Sequence, residues 1–160
     1  MPGPAGPIGP TGAAGAPGSG DSALFFALMP PDNAATVAPG QDVQFPQDGP
    51  TTSSGTSRIS PSAFVLSTAG VYRVTFQVPV TESGQLVVTL DGVELPYTVT
   101  GRATGTSSIA LSTLVDATAA GDIITVRNPI GGISALTITP LAGGIQPVSA
   151  TLLIELVKAH

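Results

Sequence analysis

Glycine occupies every third position at the start of the chain, at Gly3, Gly6, Gly9, Gly12, Gly15 and Gly18. The positions between them are filled mainly by proline and alanine, with single isoleucine, threonine and serine residues. Only glycine fits at the crowded axis of three polyproline-II chains, so a strict period of three predicts a triple helix. A flexible linker is the alternative, but a linker does not need glycine in a fixed register. We therefore expect a triple-helical stem over residues 1–20.

The stem is too short to hold three chains together by itself. It has six triplets, in which proline occupies the first position after glycine at Pro4, Pro7 and Pro10 and the second only at Pro17. Residues 21–160 are of a length typical of one domain, about 100–150 residues. Because the collagen-like period requires three chains, we expect this region to form one trimeric head.

The composition indicates an oligomer and excludes several kinds of partner. Charged residues make up 9% of the chain, against roughly 25% in an average soluble domain, and so few charges cover a monomer's surface poorly. The apolar run 23–29 is far shorter than the roughly 20 residues of a membrane span. The net charge is −5 and the five Lys and Arg residues are scattered, whereas nucleic acid binding needs a clustered basic patch. We expect self-association, no membrane span and no nucleic acid partner.

Beyond the stem, short runs rich in Val, Ile, Thr and Leu alternate with Gly, Pro, Asn and Ser, which predicts an all-β fold. No long segment shows a helical period of 3.6 with capping residues. The predicted strands are Ala63–Leu66, Val71–Val80, Gln85–Leu90, Val93–Val99, Ser107–Val115, Asp122–Arg127, Ala135–Thr139 and Val148–Val157.

Two local patterns give more detail. Asp91-Gly92 stands between two strand-like runs, and this pair favours the type I′ turn of a β-hairpin. In Val71–Val80 a period of two puts Tyr72, Val74, Phe76 and Val78 on one face, which we expect to be the core of a sandwich. Many short strands at this spacing predict a two-sheet jelly roll, with an immunoglobulin-like sandwich as the alternative.

The sequence offers little for catalysis or metal binding. It has no cysteine, and its only histidine is His160 at the C-terminal position, where chains tend to be mobile. The aspartates stand beside turn residues, where Asp is favoured for local hydrogen bonding. No oxygen-ligand loop of the EF-hand kind is present, and Gly131-Gly132 and Gly143-Gly144 lack the context of a phosphate-binding loop. We expect no enzyme activity, no cofactor and no metal.

Three stretches in the head, taken with the stem, resemble a known combination. They are Phe64–Phe76, which contains Ala69-Gly70-Val71-Tyr72, then Ala120–Val126, and the closing run Ser149–Leu156. Their order and spacing resemble the heads of complement-type and tumour-necrosis-factor-like proteins, and in particular the C-terminal domains of BclA-type spore-surface (exosporium) collagen-like glycoproteins.

The resemblance implies a ten-stranded jelly-roll homotrimer that nucleates and caps a collagen-like stalk in the hair-like nap of a bacterial spore's outer layer. Other spore-surface proteins or a host receptor are implied as further partners. An adhesive or receptor-binding head, including a phage-fibre tip, is the alternative function. Thr11 resembles the O-glycosylated threonines of such stalks, with a plain solvated threonine as the alternative.

The resemblance also assigns faces to two strands. If Phe64, Tyr72, Val74, Phe76 and Val78 are core, the period of two turns their neighbours on the central strand outward. The same pattern in the last strand buries Leu152, Ile154 and Leu156. In the family the opposite face lies toward the threefold axis, and here that face comprises Val71, Arg73, Thr75, Gln77, Leu153, Glu155 and Val157. One hypothesis is that Arg73 and Glu155 form an interchain ion pair that fixes the register of the trimer; the alternative is two independent solvated charges.

Overall fold

A computed structural model shows that the chain folds as strands and turns with one 3₁₀ helix, Pro96–Thr98, in the part that it describes. The described residues are 1–3, 6, 9, 20–29, 31–32, 36–52, 55–104, 107–138 and 142–160. The strands are β1 Ser22–Met29, β2 Gln47–Thr51, β3 Thr56–Ser60, β4 Ala63–Leu66, β5 Gly70–Val80, β6 Gly84–Leu90, β7 Val93–Glu94, β8 Thr100–Arg102, β9 Ser107–Ala117, β10 Asp122–Arg127 and β11 Val148–Ala159. The all-β prediction is confirmed.

The strands form two antiparallel sheets. The first has five strands in the order β2-β1-β11-β5-β9, and the second follows the order β3-β4-β10-β6-β7 with β8 paired to β6. Ten strands therefore lie on the two main paths, as predicted, and β8 is an eleventh. Strands far apart in the chain lie side by side, such as β1 with β11 and β4 with β10. This arrangement is a double-sheet jelly roll.

Strand directions distinguish the two ends of the sandwich. Ser22 at the start of β1 pairs with Glu155 near the end of β11, close to Gly70 at the start of β5. Because residues 1–20 lead into this end, we call it the stem end. Met29 pairs with Val148 at the opposite, distal end. The connections from β5 to β6 and from β8 to β9 also lie at the distal end.

The core lies between the two sheets. Phe25 of the first sheet and Phe64 of the second meet with ring centroids 4.5 Å apart. Phe45, from the segment before β2, is fully buried and lies 6.2 Å from Phe64 between ring centroids. Each fully buried side chain of this size contributes about 1.5–3 kcal/mol relative to exposure. The facing sheets thus form one continuous apolar core.

The predicted Asp-Gly hairpin is present. Leu90 pairs with Val93 across a two-residue turn. Asp91 has φ 50° and Gly92 has φ 80°. Positive φ at both central residues is the requirement of a type I′ turn.

The predicted strand Val93–Val99 is wrong after Glu94. Pro96 begins the 3₁₀ helix instead, because proline has no N–H to donate to a strand ladder. The hydroxyl of Thr98 then accepts a hydrogen bond from the backbone N–H of Val88 at 2.9 Å. A side chain thus replaces the backbone acceptor that a continued β7 would have supplied.

The predicted strand Ala135–Thr139 is not formed as a strand in the described residues, which end there at 138. Leu136 and Ile138 are buried, but each makes only an isolated bridge, Leu136 with Val37 and Ile138 with Val80. The alternation of apolar residues therefore predicts correctly which side chains are buried. It does not produce a strand, because Leu136 and Ile138 pair with two different segments of the chain.

Four strands were not predicted: β1, β2, β3 and β8. The strand β2 contains Gly49 and Pro50 and pairs with only one neighbour, and proline is confined to such edges. The strand β8 has three residues, too few to show a period. Most of the stem, including residues 10–19, lies outside the described residues, so the triple helix and the division into stem and head stay predictions. In the described part, no helix has the length and apolar character needed to cross a membrane.

Candidate assembly face

The outer surface of the five-stranded sheet, which we call the assembly face, is the candidate functional site. Of the side chains predicted as core, all but Leu156 are at most 1% exposed, and Leu156 is half-buried against the core. The fully buried ones are Phe64, Tyr72, Val74, Phe76, Val78, Leu152 and Ile154. On the assembly face, Val71, Thr75, Leu153 and Glu155 are half-buried, and Arg73, Gln77 and Val157 are exposed. That this face meets a threefold axis stays a prediction.

The strand register continues the assembly face across the sheet in two uncharged rows. Leu24, Leu153, Thr75 and Ser112 are successive cross-strand partners in the first row. Phe26, Thr151, Gln77 and Ala110 are successive partners in the second. Neither row contains an ionisable side chain. The middle of the face is therefore leucine and phenylalanine on one side and hydroxyl, amide and methyl groups on the other.

The side chains from β1 were missed by the sequence analysis. Leu24 and Phe26 are half-buried and Leu28 is 40% exposed on the assembly face, while Ala23, Phe25 and Ala27 on the same strand are buried. Both sets are apolar, so the run shows no alternation of apolar with polar residues. A strand that packs on both faces produces such a continuous apolar run. This run was the feature of the sequence from which β1 could have been predicted.

Polar groups on the assembly face bond to one another within the chain. The Thr75 and Ser112 hydroxyl oxygens are 2.8 Å apart, and the Gln77 amide donates to the Ser108 hydroxyl at 3.2 Å. These cross-strand contacts between β5 and β9 give several polar side chains of the assembly face a hydrogen-bond partner within the chain. Burying such a surface against another molecule costs less than burying groups without partners.

Arg73 and Glu155 meet within one chain. They are direct cross-strand partners, and Arg73 Nη1 lies 3.6 Å from a carboxylate oxygen of Glu155. The antiparallel register of β5 and β11 sets the two side chains opposite each other within the chain, and a contact between them across two chains stays a prediction. The pair neutralises the charge on the assembly face next to the first uncharged row.

The free edge of the same sheet is a second apolar surface. On β9, Leu114 is 50% exposed beside Arg73. Tyr97 is 63% exposed and interacts electrostatically with Asp116. Burial and this carboxylate raise the pKa of the Tyr97 phenol. We call Leu114, Tyr97 and the neighbouring Val99, 41% exposed, the edge patch.

His160 is held at the stem end rather than extended away from the head. Its backbone N–H donates to the carbonyl of Ala69 at 3.1 Å. Its ring Nε2 lies 2.7 Å from Asp116 Oδ1. These contacts hold His160 beside the end of β11, which continues to Ala159.

The acidic residues that were considered for catalysis or calcium make structural contacts. Asp42 and Asp48 form ion pairs with Arg127 and Arg58. Asp91 accepts from the backbone N–H of Ile123 at 2.8 Å. In the described part of the chain, no group of three or more His, Cys, Asp or Glu side chains is arranged to hold a metal ion. Thr11, the candidate glycosylation site, lies outside the described residues.

A groove lies at the distal end of the head. It lies beside the β6–β8 pair and the segment after β10, and its volume is about 600 Å³. Its polar lining includes Gln85, Arg102 and Ser134. It shares no residue with the assembly face or the edge patch.

No protein-family model and no curated protein matches this chain. Several solved structures are similar to it along most of its length. Eiger TNF from S. frugiperda has a TM-score of 0.63 at 15% identity, covering 87% of this chain and 93% of that chain. The PRD1 vertex protein P5 has a TM-score of 0.60 at 14% identity, covering 89% of this chain and 100% of that chain.

A third solved structure of the same kind is the globular domain of zebrafish complement 1qA protein. Its TM-score is 0.58 at 12% identity, and the match covers 88% of this chain and 99% of that chain. Identities this low establish the fold and nothing finer. The predicted jelly roll of the tumour-necrosis-factor and complement-head type is confirmed.

Proposed function

We propose that this chain, a jelly roll of the tumour-necrosis-factor and complement-head type, is a non-enzymatic structural protein that works by assembly. Its head, residues 21–160, binds two further copies and caps a collagen-like stalk in the hair-like nap of a bacterial spore's outer layer. The observation that carries the proposal is the assembly face, whose two central rows are uncharged and partly apolar. The first strand of its sheet follows directly after six Gly-X-Y triplets.

The chemistry of the assembly face suits burial against a second copy. Leu24, Phe26 and Leu153 supply apolar area, which contributes about 25 cal/mol per Å² removed from water. The single ion pair in the central part of the face, Arg73 with Glu155, is closed within the chain. No unpaired charge in the two central rows would have to be desolvated.

The point at which the chain enters the head supports such an assembly. The strand β1 belongs to the sheet that carries the assembly face, and it begins at Ser22. Just before it, the carbonyl of Gly20 accepts a hydrogen bond from the Thr52 hydroxyl, and Ser22 N–H donates to that hydroxyl at 3.1 Å. If three such sheets surround one axis, the three stems start close together, as a triple helix requires.

A closed ring of three copies needs two different surfaces on each subunit, one to receive and one to insert. The central rows of the assembly face and the edge patch are two such surfaces. The patch combines Leu114, at the β9 margin of the face, with Tyr97 and Val99 from the segment between β7 and β8. Tyr97 and Leu114 of one copy would pack against Leu24 and Leu153 of the next. Aromatic side chains such as Tyr97 are favoured at the centre of protein interfaces.

Light scattering on the full chain tests the assembly. We expect a mass three times that of one chain. Leu153→Glu places a charge in the centre of the assembly face and should give monomers with an unchanged circular dichroism spectrum. The matched control is Val93→Glu, which adds the same charge at a 66% exposed position on the other sheet and should leave the trimer intact.

A stem variant separates the contribution of the head from that of the triplets. Gly6→Ala with Gly9→Ala interrupts the triple helix and should not change the mass. If this stem variant dissociates while Leu153→Glu stays trimeric, the stem rather than the head drives association and the proposal is wrong.

The position on a spore rests on the sequence stretches that resemble BclA-type glycoproteins and on the stem before them. Thr11 is then a candidate site for an O-linked glycan. An antibody against the head should label intact spores of the source organism at their outer edge. Labelling confined to another compartment, or to virus particles, would contradict the spore assignment.

An adhesive or receptor-binding head, such as a phage-fibre tip, is the second candidate. The distal groove favours it, because this groove lies at the end that points away from the stem. A viral vertex protein shares the fold, so the fold is compatible with that position. Labelling of virions in the antibody experiment would select this candidate.

A further inference from the structure

The distal end carries the two most exposed large apolar side chains in the described part of the head. Ile133 is 101% exposed and Ile145 is 91% exposed, and we call these two side chains the distal tips. Ile133 lies near the connection between β5 and β6, where it lines the distal groove together with Ser83. Ile145 lies in the bend just before Val148, which pairs with Met29 at the distal end. Both tips therefore stand at the end of the head that is opposite the stem.

The chain around the distal tips is free of charge. Residues 128–154 include no Asp, Glu, Lys, Arg or His, and both tips lie in this stretch. A charged side chain strongly opposes entry into the hydrocarbon of a bilayer, whereas isoleucine is among the side chains that favour it. The sequence thus leaves the tips without neighbouring groups that would prevent insertion into lipid.

Three charged side chains from other segments at the distal end are bonded inside the head. Glu82 accepts hydrogen bonds from the hydroxyl and the N–H of Thr137 at 2.6 and 2.7 Å. Asp32 accepts from the N–H of Leu28 at 2.7 Å, and Arg102 donates to two backbone carbonyls. These groups already have partners within the chain, so contact between the tips and an apolar surface does not require them to find new ones.

The residue types at the distal tips suit lipid better than a protein partner. Protein interfaces draw much of their binding energy from tryptophan, tyrosine and arginine, and residues 128–147 contain none of these. Each tip is a single aliphatic side chain next to a glycine pair, Gly131-Gly132 or Gly143-Gly144, rather than part of a broad apolar face. Separate aliphatic side chains can enter the boundary between the headgroups and the acyl chains of a bilayer.

The charge of the whole chain selects the kind of bilayer. The net charge is −5 and the Lys and Arg residues are scattered. Binding to anionic lipids depends on clusters of these two residue types. An anionic membrane would repel the head, whereas a zwitterionic one leaves the apolar contact unopposed.

We propose that the distal tips, Ile133 and Ile145, insert into the surface of a zwitterionic lipid bilayer. The contact is peripheral, because the side chains reach the boundary of the acyl chains while the rest of the head stays in water. This inference goes beyond the assembly role and rests on the proposed trimer only for its strength. Three copies in one ring present three pairs of tips in the same direction, and linked weak contacts bind more tightly than a single one.

Tryptophan reporters test the insertion directly, because the chain contains no tryptophan of its own. Ile133→Trp and Ile145→Trp each place the only indole of the full chain at one tip. On addition of phosphatidylcholine vesicles we expect a blue shift of the fluorescence and quenching by brominated acyl chains. Val93→Trp is the matched control, since Val93 is 66% exposed in the hairpin at the stem end, and it should show neither change.

Sedimentation with phosphatidylcholine vesicles measures the affinity. Ile133→Ser and Ile145→Ser should each weaken binding at least about tenfold, because one apolar side chain per copy no longer leaves the water. Val93→Ser should bind like the parent chain. All three positions are exposed, so the circular dichroism spectra should not change.

The monomeric variant Leu153→Glu separates this proposal from the proposed trimer. Combined with Ile145→Trp, it should bind vesicles more weakly than the trimer and still show quenching. Quenching with an unchanged affinity would count against the trimer, whereas the insertion of the tips would be supported.

The opposite results overturn the proposal. Absence of quenching at both tips, or equal quenching of Val93→Trp, shows that the tips do not enter the lipid. Tighter binding to anionic than to zwitterionic vesicles assigns the contact to charge. A mass above that of three chains that returns to the trimer mass in Ile133→Ser assigns the tips to a contact between heads.

Discussion

Arg127 and Asp42 join the connection before β2 to the end of β10 through a largely buried ion pair. Arg127 Nε lies 2.7 Å from Asp42 Oδ1, and the two side chains are 15% and 22% exposed. The hydrogen bonds and the charge of Asp42 raise the pKa of the Arg127 guanidinium against the opposing effect of burial. Thr125 donates to the same carboxylate oxygen at 3.1 Å. The pair thus fixes a long connection to the six-stranded sheet.

Replacing Asp42 should therefore destabilise the head. Asp42→Ala leaves Arg127 without its charged partner, and we expect a loss of about 1–3 kcal/mol in the free energy of unfolding. Urea denaturation at one protein concentration measures it. Asp48→Ala is the matched control, because its ion pair with Arg58 is more exposed, at 65% and 27%, and should contribute less than about 1 kcal/mol. Equal losses in the two variants would contradict the role of burial.

Tyr72 should make stability fall at alkaline pH. Burial raises the pKa of its phenol above the ordinary value of 10.0, against the hydrogen bond to the Thr68 carbonyl, which is 2.8 Å long. A raised pKa in the folded state means that its stabilising contribution is present below pH 10 and is lost as pH rises through the folded value. Tyr72→Phe should cost about 1 kcal/mol at neutral pH.

Denaturation curves at several alkaline pH values test this. The loss of stability above pH 10 should be smaller in Tyr72→Phe than in the parent chain. Identical pH dependence in both proteins would assign the alkaline loss to other groups.

The contribution of Glu82 to stability should be lost in the acid range. Burial acts to raise the pKa of its carboxyl, but hydrogen bonds from the Thr137 hydroxyl and N–H outweigh it, so the pKa lies below the ordinary 4.5. The two bonds are 2.6 and 2.7 Å long. A lowered folded pKa gives stability that is present above pH 4.5 and is lost as pH falls through the folded value. The stability difference between the parent and Glu82→Gln should therefore shrink on acidification, and a difference that is constant with pH would contradict it.

A side chain at Gly92 should destabilise the hairpin turn. Gly92 has φ 80°, and a Cβ there would meet no atom within 4 Å, so any cost is conformational. Gly92→Ala should lower the free energy of unfolding by about 1 kcal/mol. Gly131→Ala is the control, because its added Cβ also enters open space without a positive φ, and it should change stability little. Equal effects in thermal denaturation would show that the turn geometry is not limiting.

The sequence predicts the fold where a strand has one apolar and one polar face. The alternation around Tyr72 and Phe76 identifies both β5 and its buried side, and Asp91-Gly92 identifies the hairpin. The same rule fails for β1, where Leu24 and Phe26 are as apolar as the buried set. A continuous apolar run does not show which side of the strand faces the core.

Pairing between distant strands is the other limit. Nothing local to Arg73 shows that β11 brings Glu155 beside it in the same chain, since this contact depends on the strand order of the whole sheet. The groove has the same origin, because Gln85, Arg102 and Ser134 converge only when three separate segments meet at the distal end. Composition and the spacing of apolar residues therefore predict that the chain forms two packed sheets. A site formed by several strand ends can be predicted only when the order of the strands in the sheets is known.

The C-terminal residue lies at the same end of the head as the stem, with His160 bonded to the carbonyl of Ala69. A protein fused after His160 would thus emerge at the stem end, next to residues 1–20. The exposed stretch 142–147 leads into β11 at the opposite end. A peptide inserted there would be displayed outward on every copy, which makes that stretch the natural point of attachment for an engineered antigen or affinity tag.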